Sequence, residues 1–269
     1  MRASVVALAL LASVGCSACT IVFVARGGQV IAAGNEDEDN RPELSRHTIR
    51  FVPADKAKGT LGFVAFGYKN NPFSDESAMN EAGLFYDFNA LDKLELPRSG
   101  KPKGKFNAFN EILTTCRTVD QAVAYLESID LPYLSSAQVV IGDASGASAI
   151  VERHATTWRR QGFDYQIGTN FRTSATPVAN ITCERYNRCA SLLSQKKPVR
   201  AQTVADLLKS TIATKESGSV TWYSLVCDLK RREVSLYTKG DFTRRTKFSL
   251  AKELKKGARK LDMEEFTAR

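Results

Sequence analysis

The sequence predicts an antiparallel, layered α+β domain, and three observations carry that prediction. Strand-like and helix-like patterns fall in segregated blocks rather than in β–α–β alternation. No Pro/Gly/Ser-rich linker and no internal repeat divides the 269 residues. Hydrophobic residues make up 43% and charged residues 25%, enough for one large core with an ordinary solvated surface.

The N-terminal stretch stands apart from the rest. Arg2 precedes an apolar run from Val5 to Val14, broken only by Ser13, and Gly15-Cys16-Ser17-Ala18 follows. A run this short, ending in small residues, reads as a signal peptide over residues 1–18. Cys19 then begins the mature chain, which is exported to a periplasmic or secreted location. A lipid on Cys16 and a buried first strand or helix are the competing readings. Nothing downstream approaches the ~18 apolar residues of a membrane span.

The mature chain opens with a hairpin: Thr20 to Ala25 and Gln29 to Ala33 are apolar runs joined by Gly27-Gly28. The acidic stretch Asn35-Glu36-Asp37-Glu38-Asp39-Asn40 follows and reads as a loop. It lacks the spacing and glycine of an EF-hand, so a solvated turn is the plainer reading than calcium. Ile49 to Val52, Leu61 to Gly67 and Gly83 to Asn89 read as strands. Phe106 to Thr114 is apolar at helical spacing, and Thr118-Val119-Asp120-Gln121 opens a second helix with a capping box. Strands return at Gln138 to Ile141, Ala147 to Glu152 and Tyr165 to Thr169. Helices are expected at Cys183 to Leu193 and Thr203 to Leu208, then a hairpin pairing Thr221 to Asp228 with Glu233 to Tyr237. Leu250 to Leu261 reads as a basic surface helix and Asp262 to Arg269 as a frayed end. The whole is one domain over residues 19–269.

The net charge is +9. Residues 228–269 hold thirteen Lys or Arg against seven Asp or Glu. Acidic residues are interleaved and no aromatic stacking platform accompanies them, so a solvated basic face is expected and nucleic acid is not an expected partner. Six cysteines are encoded, and cleavage before Cys19 leaves five. An odd count in an oxidising compartment leaves at least one thiol unpaired, and Cys19 is the candidate. Cys116, Cys183, Cys189 and Cys227 allow two disulfides or none. A bond between Cys183 and Cys189, six apart on one helix, is disfavoured.

The available chemistry is narrow. His47 and His154 are the only histidines, and neither sits in a nucleophile signature or at metal-ligand spacing. No phosphate-cradling or dinucleotide loop occurs, so neither cofactor nor metal is expected. An N-terminal cysteine needs no histidine, because its own α-amino group can serve as base, with a free pKa of about 7.7–8. The plainer alternative is a small buried thiol in a first strand.

Motifs in order sharpen this choice. Cys19-Thr20-Ile21 is followed by Gly34-Asn35-Glu36-Asp37, Ala78-Met79-Asn80-Glu81-Ala82-Gly83-Leu84, Phe88-Asn89-Ala90, Thr169-Asn170-Phe171, Glu184-Arg185-Tyr186 and Thr221-Trp222-Tyr223-Ser224. Together they resemble the choloylglycine hydrolase and penicillin V acylase family of N-terminal-nucleophile amide hydrolases. The resemblance implies a four-layer αββα sandwich with antiparallel sheets, and hydrolysis of a linear amide. It implies Cys19 as nucleophile and, through its amine, base; Asp37 orienting the amine or thiol; and Asn89 donating to the oxyanion. It also implies Asn170 holding the amine or the reacting carbonyl, and Arg185 stabilising the charged site. Counted without a gap, the family's Asp falls on Glu38 instead. Bile-salt and penicillin V members carry an Arg three residues before that Asp; here the place is Gly34, so the substrate is not inherited. The expected partner is a small-molecule amide bound among aromatics, with Phe66, Tyr68, Phe73, Phe85 and Tyr86 as candidates. Acyl transfer and an exported non-catalytic binding protein are the rival functions, and the oligomeric state, homo-oligomer included, stays open.

Overall fold

The structure, a computed structural model, describes residues 19–39, 46–69, 75–97, 99–105, 107–213 and 218–268. The leader, Asn40, Phe73 and Phe106 lie outside these residues.

Fourteen strands form two sheets among the described residues. The first has six: β1 (Thr20–Arg26), β2 (Gln29–Asp39), β10 (Tyr165–Gly168), β11 (Ser219–Asp228), β12 (Glu233–Thr238) and β13 (Asp241–Ser249), in the order β10-β1-β2-β11-β12-β13. The second has eight: β3 (His47–Val52), β4 (Phe63–Tyr68), β5 (Asp75–Asn80), β6 (Phe85–Ala90), β7 (Ala137–Gly142), β8 (Ser148–Glu152), β9 (Ala155–Trp158) and β14 (Arg259–Asp262). Its order is β14-β3-β4-β5-β6-β7-β8-β9. Every adjacent pair is antiparallel.

Strand alternation builds the layers. In β1, Ile21 and Phe23 point between the sheets, where they join Phe51, Phe66, Phe85, Leu225 and Leu236. Val22 and Val24 point the other way, onto α3 (Glu184–Ser194) and α4 (Ala201–Lys209), through Cys189, Leu193, Val204 and Leu208. The outer face of the eight-stranded sheet buries Phe63, Ala78 and Tyr86 against α1 (Ala108–Thr115) and α2 (Val119–Glu127). Each fully buried Phe, Leu or Ile contributes roughly 1.5–3 kcal/mol. The result is helices, sheet, sheet, helices: the expected αββα sandwich. Thr118 caps α2 by accepting from the Gln121 amide, while the Gln121 side chain accepts from the Arg117 amide.

Three expectations are corrected. The acidic stretch is no loop, because β2 runs on to Asp39, pairing with β1 as far as Asn35 and with β11 as far as Asp39. Leu250 to Leu261 is not one helix: α5 (Leu250–Leu254) is short, Gly257 turns the chain at φ +87, and Arg259–Asp262 adds to β3 as an edge strand. The C-terminal stretch forms α6 (Met263–Thr267), with Asp262 as its cap and Met263 buried, instead of fraying. Several acidic residues of the C-terminal stretch are locally paired. Lys69 meets Asp262, Lys239 meets Glu264, Lys247 meets Glu233, and Lys256 and Arg259 share Glu253. Cys19, Cys116, Cys183, Cys189 and Cys227 are all thiols outside any disulfide. No helix among the described residues is long and apolar enough to cross a membrane.

Candidate active site

Cys19 stands immediately before β1, and β2 extends past it. Its thiol is buried and donates to the Asp37 backbone carbonyl at 3.4 Å. The Asp37 carboxyl turns towards β11, where it accepts from Thr221 Oγ1, and that oxygen in turn accepts from the Ala213 amide at 2.9 Å. Burial pushes the Asp37 carboxyl up to about 7, against the opposing pull of the Thr221 hydrogen bond and the Arg185 charge. Asp37 therefore touches the thiol through its backbone, while its side chain lies in a buried polar pair.

Arg185, in the first turn of α3, reaches back to β1. Its Nη1 donates to the Cys19 carbonyl and, at 3.1 Å, to Thr20 Oγ1; its Nη2 donates to Asn170 Oδ1 at 3.1 Å. Asn170 donates to the Ala90 carbonyl at 2.9 Å. Asn170 thus holds Arg185, Arg185 holds the Cys19 backbone, and the chain around Asn89 is tied into the same network. A planar five-donor guanidinium suits this bridging, which an ammonium could not reproduce.

Asn89, fully buried on β6, differs from the others: neither its Nδ2 nor its Oδ1 has a hydrogen-bond partner among the described residues. An orphaned buried amide is costly unless a ligand completes it. Both Asn89 and Cys19 line one cavity of about 420 Å³. All five expected site residues thus belong to one neighbourhood, Cys19 and Asn89 on the cavity wall and Asp37, Asn170 and Arg185 around Cys19.

The cavity corrects the expected acyl pocket. Tyr68 and Tyr86 line it, but Phe66 and Phe85 point between the sheets and are core. Phe88, Phe109 and Tyr133 complete its aromatic wall, with Phe88 and Phe109 in edge contact at 4.7 Å. Sequence reasoning missed Glu36 and Glu76 as cavity residues, and weighed Glu38 only as a register alternative. It also missed Asn35, whose side chain donates to the Leu208 carbonyl and accepts from Ser224, anchoring α4 to the site strand. Asn35 carries no local signal, because it stands between Gly34 and Glu36 and its burial comes from the strand that pairs with it.

Gly34 has a steric reason. A Cβ there would lie 2.1 Å from the Asp87 carboxylate oxygen, so the Asp87 side chain occupies the space a residue at 34 would need. Gly34→Ala is expected to cost about 1–3 kcal/mol through overpacking, read as a lowered urea midpoint. Asp87 is itself buried, and desolvation, with Glu76 nearby, holds its carboxyl well above the usual range. The folded state therefore keeps the proton that the unfolded chain releases near pH 3.8. The stability this gives is complete below that pH and is lost as pH rises. Urea unfolding from about pH 4 to about pH 8 should show stability falling with pH, and Asp87→Asn should flatten the fall.

The layering and strand order define a sandwich of the N-terminal-nucleophile-hydrolase type. A family model described as acyl-coenzyme A:6-aminopenicillanic acid acyl-transferase matches residues 24–241, and the chain belongs to that family. Similar folds include a variant of conjugated bile acid hydrolase from Clostridium perfringens, at TM-score 0.65 and 15% identity, covering 91% of this chain and 96% of that one. Penicillin V acylase from Agrobacterium tumefaciens superposes at TM-score 0.62 and 18% identity, covering 92% of this chain and 86% of that one. At such identities the likeness is one of fold. A comparison with curated protein sequences gives no match.

Proposed function

We propose that this protein is an exported cysteine amidase that cleaves a linear N-acyl amide, with Cys19 as the first residue of the mature chain. The observation that carries the reading is the cavity wall: a nucleophilic sulfur and an unpartnered buried amide, Cys19 and Asn89, border the same space. Family membership and the similar folds of a hydrolase and an acylase support it.

Leader removal between Ala18 and Cys19 frees an α-amino group one residue's reach from the thiol. The amine takes the thiol proton, and the thiolate attacks the amide carbonyl. The new oxyanion accepts from Asn89 Nδ2. The ammonium returns its proton to the leaving nitrogen, the C–N bond breaks, and a thioester remains on Cys19. Water, deprotonated by the same amine, attacks the thioester; the carboxylic acid leaves and the thiol is restored. Arg185 and Asn170 position the Cys19 backbone throughout, and Asp37 supports the amine from a buried site. No step calls on a metal or cofactor.

The family's acyl-transferase description favours one second reading, in which an amine rather than water resolves the thioester. Two measurements test the proposal. Mass spectrometry of the mature protein should find Cys19 at the N-terminus, in a periplasmic or secreted fraction. A thiol-reactive amide analogue should label Cys19 selectively among the cysteines. A mature chain starting at Cys16, or a Cys19 that resists labelling, rejects the mechanism. Product analysis with and without an added amine separates hydrolysis from transfer.

A further inference from the structure

The cavity beside Cys19 has two chemically distinct sets of lining residues. Tyr86, Phe88 and Phe109 form an apolar wall from β6 and α1, with Tyr86 and Phe109 ring centroids 4.9 Å apart. The same cavity is lined by the acids Glu36, Glu38, Asp75 and Glu76, from β2 and β5. No Lys or Arg is among the described residues that line the space, although the chain as a whole carries +9. Arg50 neutralises Asp75 from outside the wall. Glu36 and Glu38 are served differently: the Tyr68 hydroxyl lies 3.0 Å from Glu36 and 3.2 Å from Glu38. One hydroxyl proton bonds only one of these carboxylates at a time.

Two buried or half-buried acids thus share one hydroxyl, and Glu38 Oε1 also accepts from the Asp39 amide at 3.1 Å; neither of these donors carries a charge. Glu36 is 6% exposed, and burial, with Glu76 and Asp87 nearby, drives its carboxyl well above the ordinary range. A cation entering the cavity would favour the ionised form of Glu36 and pair with it. The second observation is independent of the acids. Asn89, on the same cavity, is fully buried with both amide atoms unpartnered, so the space is built to be completed by a ligand. No three His, Cys, Asp or Glu side chains among the described residues converge as a metal site. The carboxylates are spread along a wall, which suits an organic ammonium on a chain.

We propose that the cavity selects amides whose amine half carries an ammonium group, the acyl chain lying on the Tyr86–Phe88–Phe109 wall and the ammonium lying against Glu36 and Glu38. This rests on the amidase reading above and adds the charge of its substrate. Cys19 and Asn89 line the same cavity, and the scissile carbonyl sits against them. The substrate class is an acylated diamine or polyamine; amides whose amine half ends in a carboxylate are repelled.

The test uses the full chain, expressed and allowed to mature, with three amides sharing one phenylacetyl group. Their amine halves are 1,4-diaminobutane, pentylamine and 5-aminopentanoate: cationic, neutral and anionic at matched length. The expected order of kcat/KM is cationic over neutral over anionic, with steps of about tenfold. Glu38→Gln, at a half-buried position, should reduce the cationic-to-neutral ratio by about fivefold. Any other order in the wild type, or an unchanged ratio in the variant, overturns the proposal. If none of the three is cleaved, the amidase reading fails by itself. The charge selection is then decided by protection of Cys19 from iodoacetamide, read on its peptide by mass. Stronger protection by the cationic amide than by the anionic one supports the proposal, and equal or reversed protection overturns it.

Discussion

Cys19→Ala is expected to abolish amide cleavage, with a loss in kcat of roughly 10⁴-fold or more, about 5.5 kcal/mol of barrier. The substitution removes one sulfur that makes a weak hydrogen bond to the Asp37 carbonyl. Stability should therefore change by no more than about 1 kcal/mol. The substitution leaves the small residues before the cut, Gly15-Cys16-Ser17-Ala18, unchanged, so the variant should still lose residues 1–18. An inactive, folded and processed protein is the predicted combination. A variant that keeps its leader would show instead that Cys19 takes part in its own release. Retained activity in the processed Cys19→Ala protein would remove Cys19 from the mechanism. Cys19→Ser supplies an intermediate case: the hydroxyl has the right reach, but its proton is far harder for the amine to remove.

Much of the fold was legible because strand alternation and turn chemistry act locally. The β1–β2 hairpin is an example: apolar alternation on both sides of Gly27-Gly28, both at positive φ, leaves little other choice. The segment Asn35–Asp39 misled because carboxylates are poor strand residues by local preference. Its strand is imposed from outside, by β11 on one flank, with Thr221 opposite Asp37 and Tyr223 opposite Glu36 across a bulge. The C-terminal segment misled for a related reason. Its lysines fit a helix surface, but Gly257 breaks it and β3 offers an open edge that Arg259–Asp262 fills.

The candidate site divides in the same way. Cys19, Asp37, Asn89, Asn170 and Arg185 were reached through motif order, and the fold brings them together. Their hydrogen bonds were not legible. That Arg185 grips the Cys19 carbonyl, or that Asp37 turns its carboxyl to Thr221, depends on pairings 166 and 184 residues apart. The acidic wall was hidden for a further reason. Glu36 and Glu38 lie two apart on β2 and share a face, yet they count as a cavity wall only once Tyr68 of β4 faces them from the other sheet.

Asn89 offers the second large effect, and its burial makes the expected result unusually diagnostic. Removing an oxyanion donor costs roughly 10²–10³-fold in kcat, about 3–4 kcal/mol. Most buried asparagines would also destabilise the fold when truncated, since partners would be left unsatisfied. Asn89 leaves none, because its amide bonds to no described residue. Asn89→Ala removes a desolvated, unpartnered group and opens a small cavity facing Gly168, whose own Cβ position would lie 2.7 Å from Asn89 Oδ1. The two terms oppose, so the urea midpoint should hold or rise slightly while kcat falls. KM should change little, because the donor acts on a charge that exists only after the thiolate has attacked. Asn170→Ala should behave differently. It releases Arg185 from one partner and the Ala90 carbonyl from its donor, so stability and activity fall together. A drop in stability at Asn89 equal to that at Asn170, with kcat untouched, would assign the Asn89 amide to structure and leave the oxyanion without a donor.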